Sequence, residues 1–357
     1  MTTNYKQILK RLDDILPIEY AINRNFIDGS VSRLSPYISR GVISTKQILD
    51  HLLRNGFELK KIEKFIQELM WREYWQLIWQ EKDIDVDLKN QQKDVLQRGI
   101  SKNIVDAKTG VFALDSAIQE LYNNGYIHNH LRMYLAALCT NIAKSHWRIP
   151  AKWMYYHLLD GDWASNALSW QWVCGTNSNK KYIANQENIN RFTYTKQKNT
   201  FLDTSYENLM NLVQPSHLST ISDKIRVCSL PKSDKFSIND GKSVCIYNYY
   251  NLDPTWRSEL DLHRVLLIEP SIFKKYPICK KAMDFMVNLS KNIPKIHLFV
   301  GEFKDLPIGH SDVYYKEHPL NYNYNGIEDS RDWISNVKGD YSSFFRFWKE
   351  VRKEFTF

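Results

Sequence analysis

Four short stretches of this chain hold residue types that bind or react, at spacings that gather their side chains. Glu68, Trp71, Arg72 and Trp75 stand at i, i+3, i+4 and i+7, with Trp79 one turn further on, so a helix would carry them along one face. A carboxylate, a guanidinium and two indoles make poor core material, because buried charge is costly unless paired. Two readings of that face stand: the wall of a polar, aromatic pocket, or an intrahelical ion pair beside surface aromatics. In a second stretch Asp160 and Asp162 flank Gly161, Asn166 and Trp170 follow one turn apart, and Gln171 and Trp172 close the run. Asp160 suits pairing with a distant arginine, and Asp162 suits the cap of a helix. In a third, Gly125 to Met133, Asn129 shares a face with Met133, and His128 with Arg132. Either these line a site or His128 and Asn129 are satisfied core residues; the histidines lack convergent partners, so no metal is expected. In the fourth, Gly29 is followed by Ser30, Ser32 and Ser35, a loop that lets a phosphate approach the backbone. Ser35-Pro36 reads as an N-cap with proline at the first helical position, which an ordinary helix start would also show.

The elements that must position these residues are mostly helices. From Tyr5 to Phe201 apolar residues recur at helical spacing, as in Ile62, Phe65, Ile66 and Leu69, and glycine and proline fall at breaks. A polar connector follows, and then short apolar runs suited to buried strands: Ser243–Tyr249, Arg264–Glu269, Lys295–Phe299 and a fourth at Asp312–Lys316. Helical segments between them, notably Ile278–Asn292, imply a parallel sheet. The expected organisation is a mostly α protein: a multi-helix domain over residues 1–205, a linker over 206–241, and a small α/β module with a parallel sheet and a C-terminal helix over 242–357.

Composition narrows the function. Aromatic residues make up 13% of the 357, an excess that suits stacking on flavins, adenines or unpaired bases as well as core filling. The formal net charge of +8 favours an anionic partner, although a solvated lysine-rich surface gives the same number. Five scattered cysteines form no CxxC pair, and no apolar run is long enough to span a bilayer. The expectation is a cytoplasmic protein with no membrane partner.

Taken together and in order, the four stretches resemble the FAD-binding domain of the photolyase/cryptochrome family. The family's hydroxyl-rich loop resembles Val31-Ser32-Arg33-Leu34-Ser35, and its glutamate-x-x-tryptophan-arginine-glutamate helix Glu68 to Glu73. Tyr126-Ile127-His128-Asn129 resembles its tryptophan-x-histidine-asparagine segment, and Asp160 to Trp172 its aspartate-glycine-aspartate run. The resemblance covers about residues 15 to 195. It implies that Tyr20, Ser32, Leu34 and Ser35 hold the FAD phosphates and ribityl chain, with Arg72 near the phosphates. Asp160 would pair with Arg132 beneath the isoalloxazine, Asp162 would lie near the adenine or ribityl side, and Asn166 would face flavin N5. An uncharged amide there accepts from N5–H and goes with a reduced or neutral-radical flavin. For repair of a flipped cyclobutane pyrimidine dimer in DNA, Glu68 would hydrogen-bond the thymine carbonyls, Trp71 would stack on the lesion, and Asn129 and Met133 would line its pocket. The family branch acting on (6-4) photoproducts has histidines at those last two positions. Trp170 and Trp147 would carry the first two steps of electron transfer to FAD.

Departures from the family define the rival readings. No tryptophan lies between Trp79 and Trp147, where the third transfer residue is expected, so the route would pass through Trp153, Tyr155 or Trp163, or an external donor would serve. Val31 replaces a hydroxyl residue. His130 and Tyr182-Ile183-Ala184-Asn185 stand where the family often has DNA-contacting arginines, and Lys180 and Lys181 are the neighbouring cations. The alternatives are a cryptochrome-like blue-light sensor that binds FAD without repair, and an FAD-dependent redox protein that does not use light. The C-terminal module is α/β like the family's antenna domain. Val265–Pro270 and Lys316–Pro319 mark the strand ends where a second, antenna chromophore would bind; a stabilising or docking role is the other reading.

Overall fold

The computed structural model describes residues 1–224, 227–238, 241–309 and 311–355. In chain order the helices before the sheet are α1 (Tyr5–Lys10), α2 (Pro17–Asn23), α3 (Ser35–Ser39), α4 (Thr45–Arg54), α5 (Leu59–Glu81), α6 (Lys102–Val105), α7 (Phe112–Asn124), α8 (Asn129–Ala137), α9 (Arg148–His157), α10 (Trp163–Cys174), α11 (Gln186–Thr193) and α12 (Tyr206–Met210). The strands are β1 (Val244–Tyr247), β2 (His263–Ile268), β3 (Ile296–Val300), β4 (Val313–Lys316) and β5 (Ile327–Asp329). Helices α13 (Pro270–Lys275) and α14 (Lys280–Ser290) lie between β2 and β3, and α15 (Phe344–Val351) follows β5. A mostly helical chain with a parallel α/β module is what the periodicity predicts. The structure adds β5, which is too short to stand out, and joins β1 to β2 without a helix.

The chain forms two compact units. Unit 1 comprises Met1–Ala21, Val31–Glu81 and Val227–Phe357; unit 2 comprises Ile22–Ser30 and Lys82–Arg226. This division differs from the segments 1–205 and 242–357 expected from the sequence. The reason is burial: α5 is covered along the whole stretch from Glu73 to Trp79, so it cannot be a surface helix of a self-contained N-terminal bundle. Within unit 1 its cover comes from the C-terminal segment. The Trp79 ring lies 6.2 Å from Tyr276 and the Tyr74 ring 5.5 Å from Phe347. Tyr37 likewise meets Phe285 at 6.1 Å, and the Tyr5 N–H donates to Asn292 Oδ1 at 3.0 Å.

The expected linker is also structured where it is described. In unit 2, Leu209 and Leu218 are fully buried, and the Lys102 N–H donates to the Thr220 carbonyl at 2.8 Å. In unit 1, Asp234 and Leu298 exchange hydrogen bonds of 2.8 Å, and Phe236 stacks on His297 at 4.9 Å, so residues 233–236 extend along β3. Residues 225, 226, 239 and 240 of that linker, like 310, 356 and 357 of the module, lie outside the described residues.

The sheet runs in the order β3-β2-β1-β4-β5 with every neighbouring pair parallel. The chain turns from one side of β1 to the other, so the switch point, where such sheets bind ligands beyond their carboxyl ends, lies between β1 and β4. In this protein that place is packed with its own side chains. Tyr250 stacks on His318 at 4.1 Å, Trp79 of α5 meets both edge-on at 5.9 and 5.0 Å, and the Arg40 guanidinium lies 3.2 Å over Tyr249. Burial, with Arg331 and Arg40 nearby, holds the His318 imidazole well below its ordinary value and therefore neutral.

Candidate functional site

In unit 2 the site residues sit on α8 and α10. The buried Asp160 carboxylate accepts from Arg132 Nη2 at 2.8 Å, and Arg132 Nε donates to the Ile127 carbonyl at 2.9 Å. The guanidinium is thereby held at two points, 5.3 Å over the Tyr126 ring. Asp162 is the N-cap of α10: its Oδ1 accepts the Ser165 N–H at 2.7 Å. Gly175 closes the same helix in the left-handed region at φ 88°, a conformation glycine adopts freely. Asn166 donates its amide nitrogen to the Ala151 carbonyl at 2.8 Å. That bond fixes the amide's orientation and leaves Oδ1 as an acceptor. Ser165 Oγ is buried with no hydrogen-bond partner among the described residues.

Helix α8 starts at Asn129 and passes at Leu138–Ile142 into a π-helical turn, a feature frequent at functional sites. His128 caps it, its Nδ1 accepting the His130 N–H at 3.2 Å. Asn129 is exposed, which removes the satisfied-core reading for it, and Met133 follows on the same face half-buried. His130 Nδ1 meets the Asn25 carbonyl at 2.8 Å, its ring packs on Phe192 at 4.6 Å, and burial lowers its pKa. Lys181 is ion-paired to Asp94 at 2.6 Å, so of the two cations named from the sequence only Lys180 is exposed.

Trp170 and Trp147 are both buried. Trp147 donates to Asp87 Oδ1 at 2.7 Å and lies 6.5 Å from Trp163, which lies 5.5 Å from Tyr155. Trp153 instead donates to the Tyr122 hydroxyl at 3.0 Å. Of the three detour residues, Trp163 is thus in ring contact with Trp147, and Tyr155 with Trp163. Gln171 was not singled out by itself, yet it is fully buried and braces the 84–88 segment. Its amide donates to the Ile84 and Val86 carbonyls at 3.1 and 3.0 Å and accepts the Leu88 N–H at 2.9 Å. A glutamine between two tryptophans inside a helix was its only sequence signal.

Unit 1 carries the remaining predicted residues. Tyr20 packs edge-on against Phe65 at 5.1 Å. Ser32 Oγ accepts the Leu34 N–H at 3.4 Å across Arg33, which lies in the left-handed region at φ 52°. Leu34, fully buried, is the N-cap of α3, so Ser35 is the first helical residue rather than the cap. Arg72 Nη1 donates to Ser39 Oγ at 3.0 Å and ties α5 to α3. Gly29 belongs to unit 2, where a Cβ would stand 2.2 Å from the Asn23 carbonyl oxygen; it is required by this local backbone contact. Along α5, Glu68 pairs with Lys64 at 2.9 Å, one turn back, and Arg72 also reaches α3 through Ser39. Trp71 stacks on Phe344 of α15 with centroids 3.8 Å apart.

Residues 65–206 match the family described as the FAD binding domain of DNA photolyase. A deoxyribodipyrimidine photo-lyase of Alkalihalophilus pseudofirmus is 32% identical over 161 residues, which are 43% of this chain and 33% of that protein. One from Thermus thermophilus is 32% identical over 165 residues, 44% of this chain and 38% of that protein. The chain thus spans well under half the length of these relatives. Among solved structures, a bacterial class III photolyase from Agrobacterium tumefaciens matches at 25% identity with TM-score 0.42, over 53% of this chain and 44% of that one. Over residues 65–206 the chain is similar to the FAD-binding domain of DNA photolyase. The loop from Tyr20 to Ser35 lies ahead of the matched residues.

The residues of unit 2 fit that cofactor. A buried carboxylate that fixes a half-buried arginine, an amide with its oxygen left to accept, and an orphaned serine hydroxyl make a polar donor and acceptor set.

Proposed function

We propose that the chain binds FAD through Arg132, Asp160, Asp162 and Asn166, and uses it under blue light to split cyclobutane pyrimidine dimers in DNA. Bound FAD would supply the electron that opens the dimer. The observation that carries this reading is the Arg132–Asp160 pair within the matched segment, the carboxylate buried and the half-buried guanidinium doubly anchored. Arg132 offers positive charge and Asp160 fixes its direction, while Asn166 offers an uncharged acceptor to a protonated ring nitrogen. Glu68 would face the lesion. While paired to Lys64 it is an acceptor only, so donation to a thymine carbonyl requires a proton on its carboxyl and release from Lys64. Asn129 and Met133 present an exposed amide and a half-buried thioether for the pocket.

A specific observation favours the second reading, a blue-light sensor without repair. Glu68 and Trp71, the two residues meant for the lesion, are already engaged by Lys64 and Phe344. The two readings part in one assay: chemically reduced protein, an oligonucleotide with a defined thymine dimer, and recovery of thymine absorbance under blue light against a dark control. Repair predicts light-dependent recovery, lowered in Glu68→Ala by about 10- to 100-fold and less in Glu68→Gln, whose amide still donates, with FAD content unchanged in both. No recovery from reduced, FAD-loaded protein would leave the sensor.

A further inference from the structure

Helix α15 is aromatic on both faces. Phe344, Phe347 and Trp348 are buried in unit 1, where Phe344 stacks on Trp71 and lies 6.3 Å from Trp348. Phe345 points the other way and is 69% exposed, a large solvation cost for a phenyl ring. Its ring meets the edge of Trp71 at 6.5 Å, so exposed Phe345 borders half-buried Trp71. The residues around it are cations. Phe345, Lys349 and Arg352 follow at i, i+4 and i+7, Arg346 and Lys353 flank them, and all four cations are exposed. The carboxylates nearby are Glu350, which pairs with Lys353 at 2.5 Å, Glu354, which accepts from Ser335, and Glu63, which Arg352 meets at 3.1 Å. Arg346 and Lys349 adjoin Phe345 on the open side of the helix.

We propose that this outer face of α15 is a binding surface for single-stranded nucleic acid, with Phe345 stacking on a base and Arg346 and Lys349 contacting the flanking phosphates. An exposed aromatic ring set among cations is the combination that holds an unpaired strand: the ring accepts any base and the cations follow the backbone. A protein partner would have to cover the cations with acids, and a second copy of this chain would bring like charges together. The choice of a nucleic acid as the anion rests on the DNA-repair reading above.

The test uses the full chain in the dark, an end-labelled single-stranded oligonucleotide of about 12 nucleotides without a lesion, and fluorescence anisotropy across a salt series. Phe345→Ala is expected to weaken binding by about 5- to 100-fold, and Arg346→Gln with Lys349→Gln to lower the salt slope by about 1 to 2. Far-UV circular dichroism checks that each variant keeps its helices. Parent-like binding by both variants overturns the proposal, as does a parent that does not bind the strand. Self-association of the parent that Phe345→Ala abolishes overturns it too, in favour of a second copy. Light-driven splitting of an isolated dinucleotide dimer, which has no flanking strand, separates the two claims. Splitting with variants that bind normally removes only the α15 surface. No splitting with Phe345-dependent strand binding removes only repair.

Discussion

Glu73 shows how one residue in a recognisable motif takes a role its neighbours do not share. It follows Arg72 in the motif helix but points into unit 1, fully buried, accepting from the Thr45 hydroxyl and from the Ile334 N–H at 2.9 Å. Burial lifts its carboxyl from 4.5 to about 7, against the pull of those two donors and of Arg331, while Asp332 adds to the rise. Between those values the folded chain holds a proton that the unfolded chain has released, so stability falls as pH rises through that window. Glu73→Gln keeps an oxygen for both donors and cannot ionise. Urea denaturation at about pH 5 and about pH 8 should show the parent losing up to about 3 kcal/mol relative to the variant across the window, the buried histidines contributing equally to both. Equal slopes would mean that Glu73 does not titrate there. The acid in this motif was visible in the sequence; that it closes a contact with residue 334 was not.

At the scale of elements, α10 concentrates the site because its own start is fixed. Asp162 caps it, Asn166 is one turn in, and Trp170 one turn beyond, so the angle of the first turn sets where the Asn166 oxygen points. Asp162→Ala removes the acceptor for Ser165 N–H and should cost about 1 kcal/mol, read as a lower urea midpoint with unchanged slope. A parent-like midpoint would show that the cap is replaceable. The cap was legible as an acid before an apolar run, and the i, i+4 pair of Asn129 and Met133 was legible from spacing alone. The partners of the Glu68 motif were not: Glu68 pairs with Lys64 on its own helix, and Arg72 donates to Ser39 of α3, a residue 33 positions earlier.

At the scale of the whole molecule, residues 227–357 complete the unit that contains α5. A chain ending at residue 226 would remove the rings that cover Tyr74 and Trp79, exposing apolar surface that favours aggregation. The expected outcome is insoluble protein, or a fragment in which amides of α5 exchange with solvent far faster than in the full chain; a soluble fragment with parent-like protection would show that 1–226 folds without the C-terminal segment. The sheet's switch point, packed with Tyr250, His318, Trp79 and Arg40, fits the docking reading of the module.

By itself the sequence determined what local chemistry determines. Helical and strand periods, the Asp162 cap, the order of the four motifs and the acid that would meet an arginine all follow from spacing and side-chain type. The tertiary structure decided what depends on residues far apart in the chain. It joined the N-terminal helices to the C-terminal sheet in one unit, because the Glu73–Trp79 stretch of α5, with its aromatic and aliphatic side chains, is covered on every side by apolar surface from the rest of the chain. It also placed Phe344 on Trp71, a contact between residues 273 positions apart that no local pattern encodes.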